Sequence, residues 1–506
     1  MAASLRDPWL WVLMALGLLL KIPLLGLNAA EYTDGVILLG LFDNRCPFYM
    51  PLYPLLAQAV SALGLEAITA GRLVSLLAHV AAMIPLHALA CHLTGSRAAG
   101  RWAAALWLVS PVPTRWGLRV MTDSLFALLW WLTLAVIVPA LPRLDDRSPG
   151  LRLGRMAAWC LIFGAMAALT RQTGWILLPL GLLGLFATLH RGGKAAWGPA
   201  LCLFAWAVPL AWMLINGSFS GHGGQMGERF TWRAALDTVE AYALDWPLIL
   251  GWPLAILTIW GIVRPVGSGP PWRWFVAVMI WCALGILGFQ VLIQSYLFRY
   301  MLPLVGFGCI LGGGVLARLA SERPRWITPV AVVTLAWLAL ITASSLWLQR
   351  QAWGDFRAGA EAMGALAGPD TRCFTNETYA TWPDVGTAKA EFWSGREVKP
   401  LLAESGRLAP MPPGSLVLVS SAYGGPRAYT GLIGALQQGA GAEIVGQWDS
   451  RLTPILPDIM DGRLLLVMDG RVELGLHQNP FAIRVRRSPQ VFQTTLLRIP
   501  DAEVQP

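Results

Sequence analysis

Two carboxylates, Glu31 and Asp34, directly follow the first long apolar run of the chain, in the stretch AEYTDGVILLG (30–40). On a helix, a spacing of three places both side chains on one face, where they would point to one spot at a membrane surface. A carboxylate held there can act as a general base, although a solvated loop acid looks the same in sequence. A third acid, Asp123, opens the apolar stretch TDSLFALLWW (122–131) and could equally be a first-turn acid favoured by the helix dipole.

A set of arginines accompanies these acids near the ends of apolar stretches. Its members are Arg72, Arg115, Arg119, Arg171 and Arg299. A guanidinium binds phosphate through paired hydrogen bonds, so acids and arginines together indicate a site for a phosphate-containing molecule at the membrane surface. If that phosphate is a leaving group, it departs without protonation, and one carboxylate suffices to deprotonate the attacking acceptor. Snorkelling or structural ion pairing of the arginines is the simpler alternative.

The elements that must position these residues are membrane helices. Of the 506 residues, 56% are hydrophobic and 13% are charged, whereas about 25% of the residues of a soluble domain are charged. Apolar stretches of about 17–25 residues recur up to roughly residue 350, and that is the length a helix needs to cross a bilayer. The net charge of +9 comes largely from short basic loops. We therefore expect the lipid bilayer, and not nucleic acid, as the partner of this charge.

Hydropathy predicts a polytopic α-helical protein with about eleven transmembrane helices. The predicted spans cover residues 8–27, 67–91, 99–113, 120–140, 156–170, 173–189, 196–215, 246–263, 274–292, 300–317 and 327–348. Basic loops alternate with neutral ones, which places the N-terminus in the cytoplasm and the C-terminus outside the cell (inner or plasma) membrane. We interpret the first span as uncleaved, because no convincing small-x-small cleavage site precedes Glu31.

The chain is expected to form two domains. Residues 1–348 form a transmembrane domain whose first external loop (28–66) includes an apolar, proline-rich segment (47–65) that suits a helix lying in the interface. Residues 349–506 are less apolar and mix strand and helix patterns, which predicts a small C-terminal α/β extracytoplasmic domain. The strand patterns lie at 414–424 and 462–470, and the helical patterns lie at 355–368 and 427–439.

The cysteines and glycines of the chain point to structure rather than to a cofactor. The cysteines lack the spacing of metal ligands, so we expect neither a metal centre nor an organic cofactor, and only assistance by a divalent cation stays open. Cys46 and Cys373 lie on the predicted outer side, where a disulfide could form. The stretch GFGCILGGG (306–314) lies inside a span, which favours a close helix contact over a nucleotide-binding loop.

The order of several short motifs resembles the C-type glycosyltransferases that use polyprenyl-phosphate sugars. The motifs are EYTDG (31–35), PLYPLL (51–56), AGRLVSLL (70–77), TDSLF (122–126), ALTRQTGWILLP (168–179) and FRYMLPL (298–304). Within that group, the chain resembles the branch with the protein O-mannosyltransferases, the lipid A aminoarabinose transferases and the rhizobial lipopolysaccharide galacturonosyltransferases. The resemblance extends over residues 8–320, and the order of the motifs is its specific part.

This resemblance implies a C-type glycosyltransferase fold and a hexosyl- or pentosyltransferase. Such an enzyme moves a sugar from a polyprenyl-phosphate donor to a lipid, glycan or protein acceptor at the outer membrane face. The catalytic acid of the family carries over to Asp34, with Glu31 as the alternative because the acids, often adjacent in the family, are split here. The acid of TDSLF carries over to Asp123, and the arginines of the TR and RY motifs carry over to Arg171 and Arg299 as donor-phosphate contacts.

Arg72 and Tyr300 complete the expected phosphate-binding set. Two other functions stay open. A lipid-linked polysaccharide polymerase or ligase also uses external arginines, but its large external loop would be expected mid-chain. A lipid or solute transporter would bury its charges near the middle of the membrane and break helices there.

Overall fold

The computed structural model describes residues 4–40, 49–142, 150–190, 197–216, 231–292, 298–377, 386–403, 406–423, 425–452 and 490–501. The chain divides into two compact units. The membrane unit comprises Met1–Leu25 and Pro47–Ser345, and the sheet unit comprises Gly26–Cys46 and Leu346–Pro506.

Helices dominate the chain because a backbone in hydrocarbon must satisfy its hydrogen bonds within its own segment. They are α1 (Pro8–Lys21), α2 (Thr33–Leu39), α3 (Leu52–Ser61), α4 (Ala67–Ala81), α5 (Met83–Thr94), α6 (Arg97–Val109), α7 (Pro111–Trp116), α8 (Asp123–Ile137), α9 (Gly150–Thr170), α10 (Leu178–His190), α11 (Trp197–Leu203), α12 (Ala207–Ile215), α13 (Trp232–Leu250), α14 (Trp252–Val263), α15 (Gly269–Leu292), α16 (Leu302–Glu322), α17 (Pro324–Gln349), α18 (Gly354–Leu366), α19 (Ala388–Ser394) and α20 (Gly425–Ala440).

Among the described residues, eight helical segments are long and apolar enough to cross a membrane, so the chain is a multi-pass membrane protein. They are Pro8–Gly26, Ala67–Thr94, Leu153–Thr170, Gln172–His190, Trp197–Ile215, Gly269–Leu292, Arg299–Glu322 and Pro324–Trp347. The expected number of about eleven exceeds this count. The three other predicted spans correspond to α6, α8 and α14, which have 13, 15 and 12 residues. At their length they extend about 18–22 Å, less than the roughly 30 Å of hydrocarbon.

The glycine run of α16 lets this helix approach α6 closely. A Cβ atom at Gly313 would lie 2.6 Å from the Ala99 carbonyl oxygen and 2.7 Å from the Ala103 nitrogen. A Cβ atom at Gly306 would collide with the indole ring of Trp131 on α8. The stretch therefore forms a close helix contact, as the sequence predicted.

A buried lysine ties the first helix to its neighbours. The Lys21 ammonium donates to the Leu108 carbonyl oxygen at 2.7 Å and to the Thr114 hydroxyl at 2.9 Å, and its Nζ lies 2.7 Å from His79 Nε2. Lys21 Nζ thus has hydrogen-bond partners on α4, α6 and α7, and helix packing accounts for this buried lysine.

Within its described residues, the sheet unit is built on a mixed five-stranded sheet with the order β2-β1-β3-β5-β4. The strands are β1 (Cys373–Thr375), β2 (Val398–Pro400), β3 (Leu416–Ser420), β4 (Glu443–Leu452) and β5 (Gln490–Arg498). β1 pairs in parallel with β2 and β3, and β5 pairs antiparallel with β3 and β4. β3 is buried along its whole length, as expected for a central strand. The strand pattern at 414–424 and the helical patterns at 355–368 and 427–439 correspond to β3, α18 and α20.

The first loop packs with the C-terminal region, which the sequence did not anticipate. The Ala29 N–H donates to the Arg350 carbonyl oxygen at 2.8 Å, and Arg357 Nη1 donates to the Ala29 carbonyl oxygen at 2.8 Å. α2 also packs against α19. The start of the predicted loop therefore belongs to the sheet unit, while its later part, with α3, belongs to the membrane unit.

Two sequence predictions lie outside the described residues. One is the strand at 462–470, and the other is the Cys46 half of the expected disulfide with Cys373. Cys373 itself is buried in β1.

Candidate active site

Asp123 and Arg171 form an ion pair inside the membrane unit. Asp123 is the first residue of α8, so its carboxylate lies at the positive end of the helix dipole. Arg171 has an extended backbone (φ −151°, ψ 141°) between α9 and a short 3-10 helix (Gln172–Leu177). Its Nη1 donates to Asp123 Oδ1, and the side chains are 11% and 2% exposed. The same nitrogen lies 3.4 Å from the Thr122 hydroxyl.

Aromatic rings join this pair to two further arginines. The Arg171 guanidinium carbon lies 4.2 Å from the ring centre of Tyr300, and that of Arg299 lies 5.8 Å from the same ring. Arg299 also lies 5.6 Å from the ring of Trp116, and Arg115 lies 5.1 Å from it. Arg115 and Arg299 are buried. The membrane unit thus assembles three buried or nearly buried cations around two rings, an arrangement that stabilises guanidinium groups away from water.

A hydroxyl of the PLYPLL motif holds the turn before Asp123. Tyr53 Oη donates to the Gly71 carbonyl oxygen at 2.8 Å and accepts from the Met121 N–H at 3.1 Å. Ser75 donates to the Met121 carbonyl oxygen at 3.1 Å. Both backbone groups of Met121 are therefore bound by side chains, which fixes where α8 begins. PLYPLL and AGRLVSLL are separate motifs in the sequence, and no local pattern predicted that Tyr53 connects them to the start of α8.

Arg72 has a different environment from the other arginines predicted to bind phosphate. Its Nη1 donates to the Leu25 carbonyl oxygen at 2.6 Å, at the end of the first membrane segment. Arg119, another member of the basic set, is fully buried.

Glu31 and Asp34 are both in the sheet unit, and both are buried. Asp34 lies in the first turn of α2, which begins at Thr33, and Tyr32 before it is extended (φ −69°, ψ 160°). Glu31 is thus outside the helix. The expectation that both acids share a helix face is wrong, because the face argument requires helical dihedral angles at every residue between them. Because Asp34 is buried, it is not the solvated loop acid that the sequence allowed as an alternative.

A second polar cluster in the sheet unit went unnoticed in the sequence. Glu377 Oε1 and Oε2 accept from the backbone N–H groups of Lys389 (3.3 Å) and Ala390 (2.8 Å) at the start of α19. Lys389 Nζ donates to Tyr423 Oη at 3.2 Å and lies 3.2 Å from the ring centre of Trp353. Glu377 and Lys389 are fully buried, far apart in sequence and without a motif, so only the fold could reveal them.

Burial dominates the electrostatics of this cluster. It raises the pKa of Glu377 to about 7, although the nearby Lys389 charge and the two backbone N–H donors act in the opposite direction. Burial also raises the pKa of Tyr423 well above its ordinary value, and the Glu377 carboxylate adds to that shift.

No protein-family model matches the sequence, and no curated protein matches it. Solved structures do match. The chain is 14% identical to ArnT from Cupriavidus metallidurans in the apo state, with a TM-score of 0.59 over 88% of this chain and 97% of that chain. The structure of that ArnT bound to undecaprenyl phosphate gives 14% identity and a TM-score of 0.58 over 87% and 96% of the two chains.

An oligosaccharyltransferase from Archaeoglobus fulgidus in the apo form is 12% identical, with a TM-score of 0.50 over 78% of this chain and 65% of that chain. At these identities the likeness concerns the fold. The predicted polytopic helical architecture with a small C-terminal α/β domain is confirmed, and the fold resembles that of ArnT.

Proposed function

We propose that the chain is a membrane glycosyltransferase that moves a sugar from a polyprenyl-phosphate donor to an acceptor. The observation that carries this proposal is the ArnT-like fold over nearly the whole chain, in which one matching structure holds undecaprenyl phosphate. The group of Arg171, Arg299 and Arg115 around Trp116 and Tyr300 supports it, because guanidinium groups suit a lipid phosphate.

In this proposal Asp34 is the general base. Its carboxylate takes the proton of the acceptor hydroxyl while the hydroxyl oxygen forms a bond to the anomeric carbon of the donor sugar. The bond between that carbon and the phosphate oxygen breaks, and polyprenyl phosphate leaves with the electron pair. Because a phosphate is a good leaving group without a proton, no second carboxyl is needed as an acid. Glu31 remains the alternative base, since both acids are buried in the sheet unit.

Arg171, Arg299 and Tyr300 are the proposed donor-phosphate group. Arg171 meets Asp123 and Thr122 through one nitrogen, Nη1, so its planar group retains further N–H donors for phosphate. In this arrangement Asp123 orients Arg171. The hypothesis that Asp123 is itself a catalytic acid becomes the alternative. Arg72, which meets a backbone carbonyl, is the weakest member of the predicted phosphate set.

The reaction is proposed to occur at the extracytoplasmic face of the cell membrane. The alternation of basic loops supports a cytoplasmic N-terminus and an external sheet unit. The proposed acceptor is a lipid, a glycan or a protein. A polysaccharide polymerase or ligase and a transporter are the competing functions.

The deciding experiment uses the purified protein in detergent or vesicles with a panel of polyprenyl-phosphate sugars labelled in the sugar. Membrane extract supplies the acceptors. Transfer of label to an acceptor, with release of polyprenyl phosphate, supports the proposal, and the labelled product identifies the sugar and the acceptor. Chain growth into a polymer would favour a polymerase, and movement of intact label across vesicles without transfer would favour a transporter.

A further inference from the structure

The turn before α8 connects the two arginines of the proposed phosphate site. Arg299 Nη1 donates to the sulfur of Met121 at 3.6 Å. Arg171 Nη1 donates to Asp123 Oδ1 and lies 3.4 Å from the Thr122 hydroxyl. Three consecutive residues therefore contact both guanidinium groups. The position of this turn in the membrane unit sets how the two groups are spaced.

The turn is held by side chains from other segments. Residues 117–122 lie between α7 and α8 and belong to neither helix. Met121 is buried, so its backbone groups need hydrogen-bond partners within the protein. Tyr53 Oη accepts from the Met121 N–H at 3.1 Å, and the Ser75 hydroxyl donates to the Met121 carbonyl oxygen at 3.1 Å. α3 and α4, which carry these two side chains, thus fix both backbone groups of Met121.

The Tyr53 hydroxyl is itself held on α4. It donates to the Gly71 carbonyl oxygen at 2.8 Å, and its oxygen lies 3.0 Å from Ser75 Oγ. Tyr53 and Ser75 are fully buried, so water does not compete for these bonds. α3 also packs against α4 along its length. One hydroxyl therefore joins α3 and α4 to the turn before α8.

We propose that Tyr53 is a positioning residue for the donor phosphate, and that it sets the places of Arg171 and Arg299 by holding Met121. This inference rests on the proposed function, because the two arginines matter as the proposed phosphate contacts. Hydrogen bonds from guanidinium groups to phosphate are directional and require a defined geometry. A misplacement of about 1 Å in a substrate-positioning group can cost about 10² in rate.

The test compares the binding of polyprenyl phosphate with that of the matching polyprenol, in the full-length protein in detergent. The two lipids differ only in the phosphate, so the ratio of their Kd values measures the phosphate contacts. Tyr53→Phe keeps the ring and removes the hydroxyl. It should weaken binding of polyprenyl phosphate by roughly tenfold, the worth of one hydrogen bond to a charged group, and leave the Kd of polyprenol unchanged. A wild-type ratio in this variant would overturn the proposal.

Thr133→Val is the matched control. Thr133 is buried on α8, and its hydroxyl donates to the Leu129 carbonyl oxygen of the same helix at 2.8 Å. The change therefore removes a buried hydroxyl without touching the bonds to Met121. It should leave both Kd values at the wild-type level. A loss of phosphate affinity equal to that in Tyr53→Phe would show a general effect of packing and would contradict the proposal.

A double-mutant cycle with Arg171 tests whether Tyr53 acts through the arginines. Tyr53→Phe should cost less phosphate affinity in the Arg171→Ala protein than in the wild type, because one of the two contacts that it positions is already gone. Fully additive losses would mean that Tyr53 acts by another route, and the proposal would then be wrong.

Hydrogen exchange separates this inference from the proposed function. The Met121 amide is bound by Tyr53, and the Phe126 amide donates to the Thr122 carbonyl oxygen at 2.9 Å at the start of α8. Both amides should exchange faster in Tyr53→Phe and at the wild-type rate in Thr133→Val. If the wild-type protein binds both lipids equally but this difference is seen, the proposed function fails and the anchoring of the turn by Tyr53 stands. If exchange is unchanged in Tyr53→Phe, the inference fails whatever the lipid binding.

Discussion

Arg171 donates through Nη1 to the carboxylate of Asp123, and both side chains are shielded from water in the membrane unit. Removing one partner of a buried ion pair strongly destabilises the folded protein, because it leaves an unpaired buried charge. The two residues should therefore act as one unit. The pair joins two motifs, TDSLF and TRQTGW, that are about 50 residues apart in the chain.

The first prediction is that Asp123 and Arg171 are coupled in donor binding. Arg171→Ala should raise the KM for donor and lower turnover, each by roughly tenfold or more, since a charged hydrogen bond contributes about 1.5–3 kcal/mol. Arg171→Lys should recover only part of this, because an ammonium cannot make the paired contacts. Asp123→Asn should have a smaller effect, and the double variant should match Arg171→Ala.

The control for that cycle is Glu322→Gln, which removes an exposed ion pair with Arg318 at 3.9 Å. Such a pair contributes little, so donor binding should not change. Additive effects of Asp123→Asn and Arg171→Ala would instead assign Asp123 a role of its own, as the sequence had predicted.

The second prediction concerns the base. Asp34→Asn is nearly isosteric and removes proton acceptance, so turnover should fall by about 10²–10⁴ while donor binding stays. Single-turnover transfer and equilibrium binding of donor measure the two quantities separately. Wild-type turnover in Asp34→Asn together with its loss in Glu31→Gln would transfer the role to Glu31.

The third prediction is a pH dependence of stability in the sheet unit. The pKa of Glu377 is raised from 4.5 to about 7 by burial. Between these values the folded state keeps a proton that the unfolded state has lost, so stability should fall as the pH rises from about 4.5 to 7. Glu377→Gln should flatten this part of the melting-temperature profile.

Neighbouring groups limit how flat that profile becomes. Burial also raises the pKa of Asp355 and of Glu391, and both contribute in the same direction. Glu443→Gln, at an exposed position of β4, is the control and should leave the profile unchanged. If the melting temperature of Glu377→Gln depended on pH with the same slope as that of the wild-type protein, the pKa of Glu377 would not change on unfolding and the prediction would be wrong.

The fourth prediction tests the contact between α6 and α16. Gly313→Ala puts a methyl group 2.6 Å from the Ala99 carbonyl oxygen, and the helices must separate. Overpacking of this kind lowers the free energy of unfolding by about 1–3 kcal/mol, which should appear as a lower melting temperature in detergent. Gly288→Ala, on α15 with nothing within 4 Å of the added carbon, should melt like the wild type.

The fifth prediction concerns sidedness. A cysteine at Gln438, exposed on α20, should react with an impermeant maleimide in sealed right-side-out vesicles. A cysteine at Ser321, exposed at the end of α16, should react only after permeabilisation. The parent chain gives the background from its own cysteines. The reverse labelling pattern would place the sheet unit in the cytoplasm and contradict the proposed location of the reaction.

Much of the membrane unit could be predicted from local sequence patterns. The apolar runs predicted the long membrane helices, and the glycine run predicted the contact at Gly313, because both depend on composition within one segment. The predicted number of spans, about eleven, is larger than the eight long apolar segments among the described residues, because α6, α8 and α14 are only 13, 15 and 12 residues long.

The sequence by itself determined that this is a membrane protein with a C-terminal α/β domain, and it placed acids and arginines at the ends of apolar runs. Those properties follow from local hydrophobicity and periodicity. Only the tertiary structure decided that Arg171 binds Asp123, that Glu31 lies outside α2, and that Lys389 binds Tyr423. These contacts join residues that are distant in the chain, or they depend on where a helix begins. Local sequence determines neither, because a buried polar group must find a hydrogen-bond partner among the residues that packing brings to it.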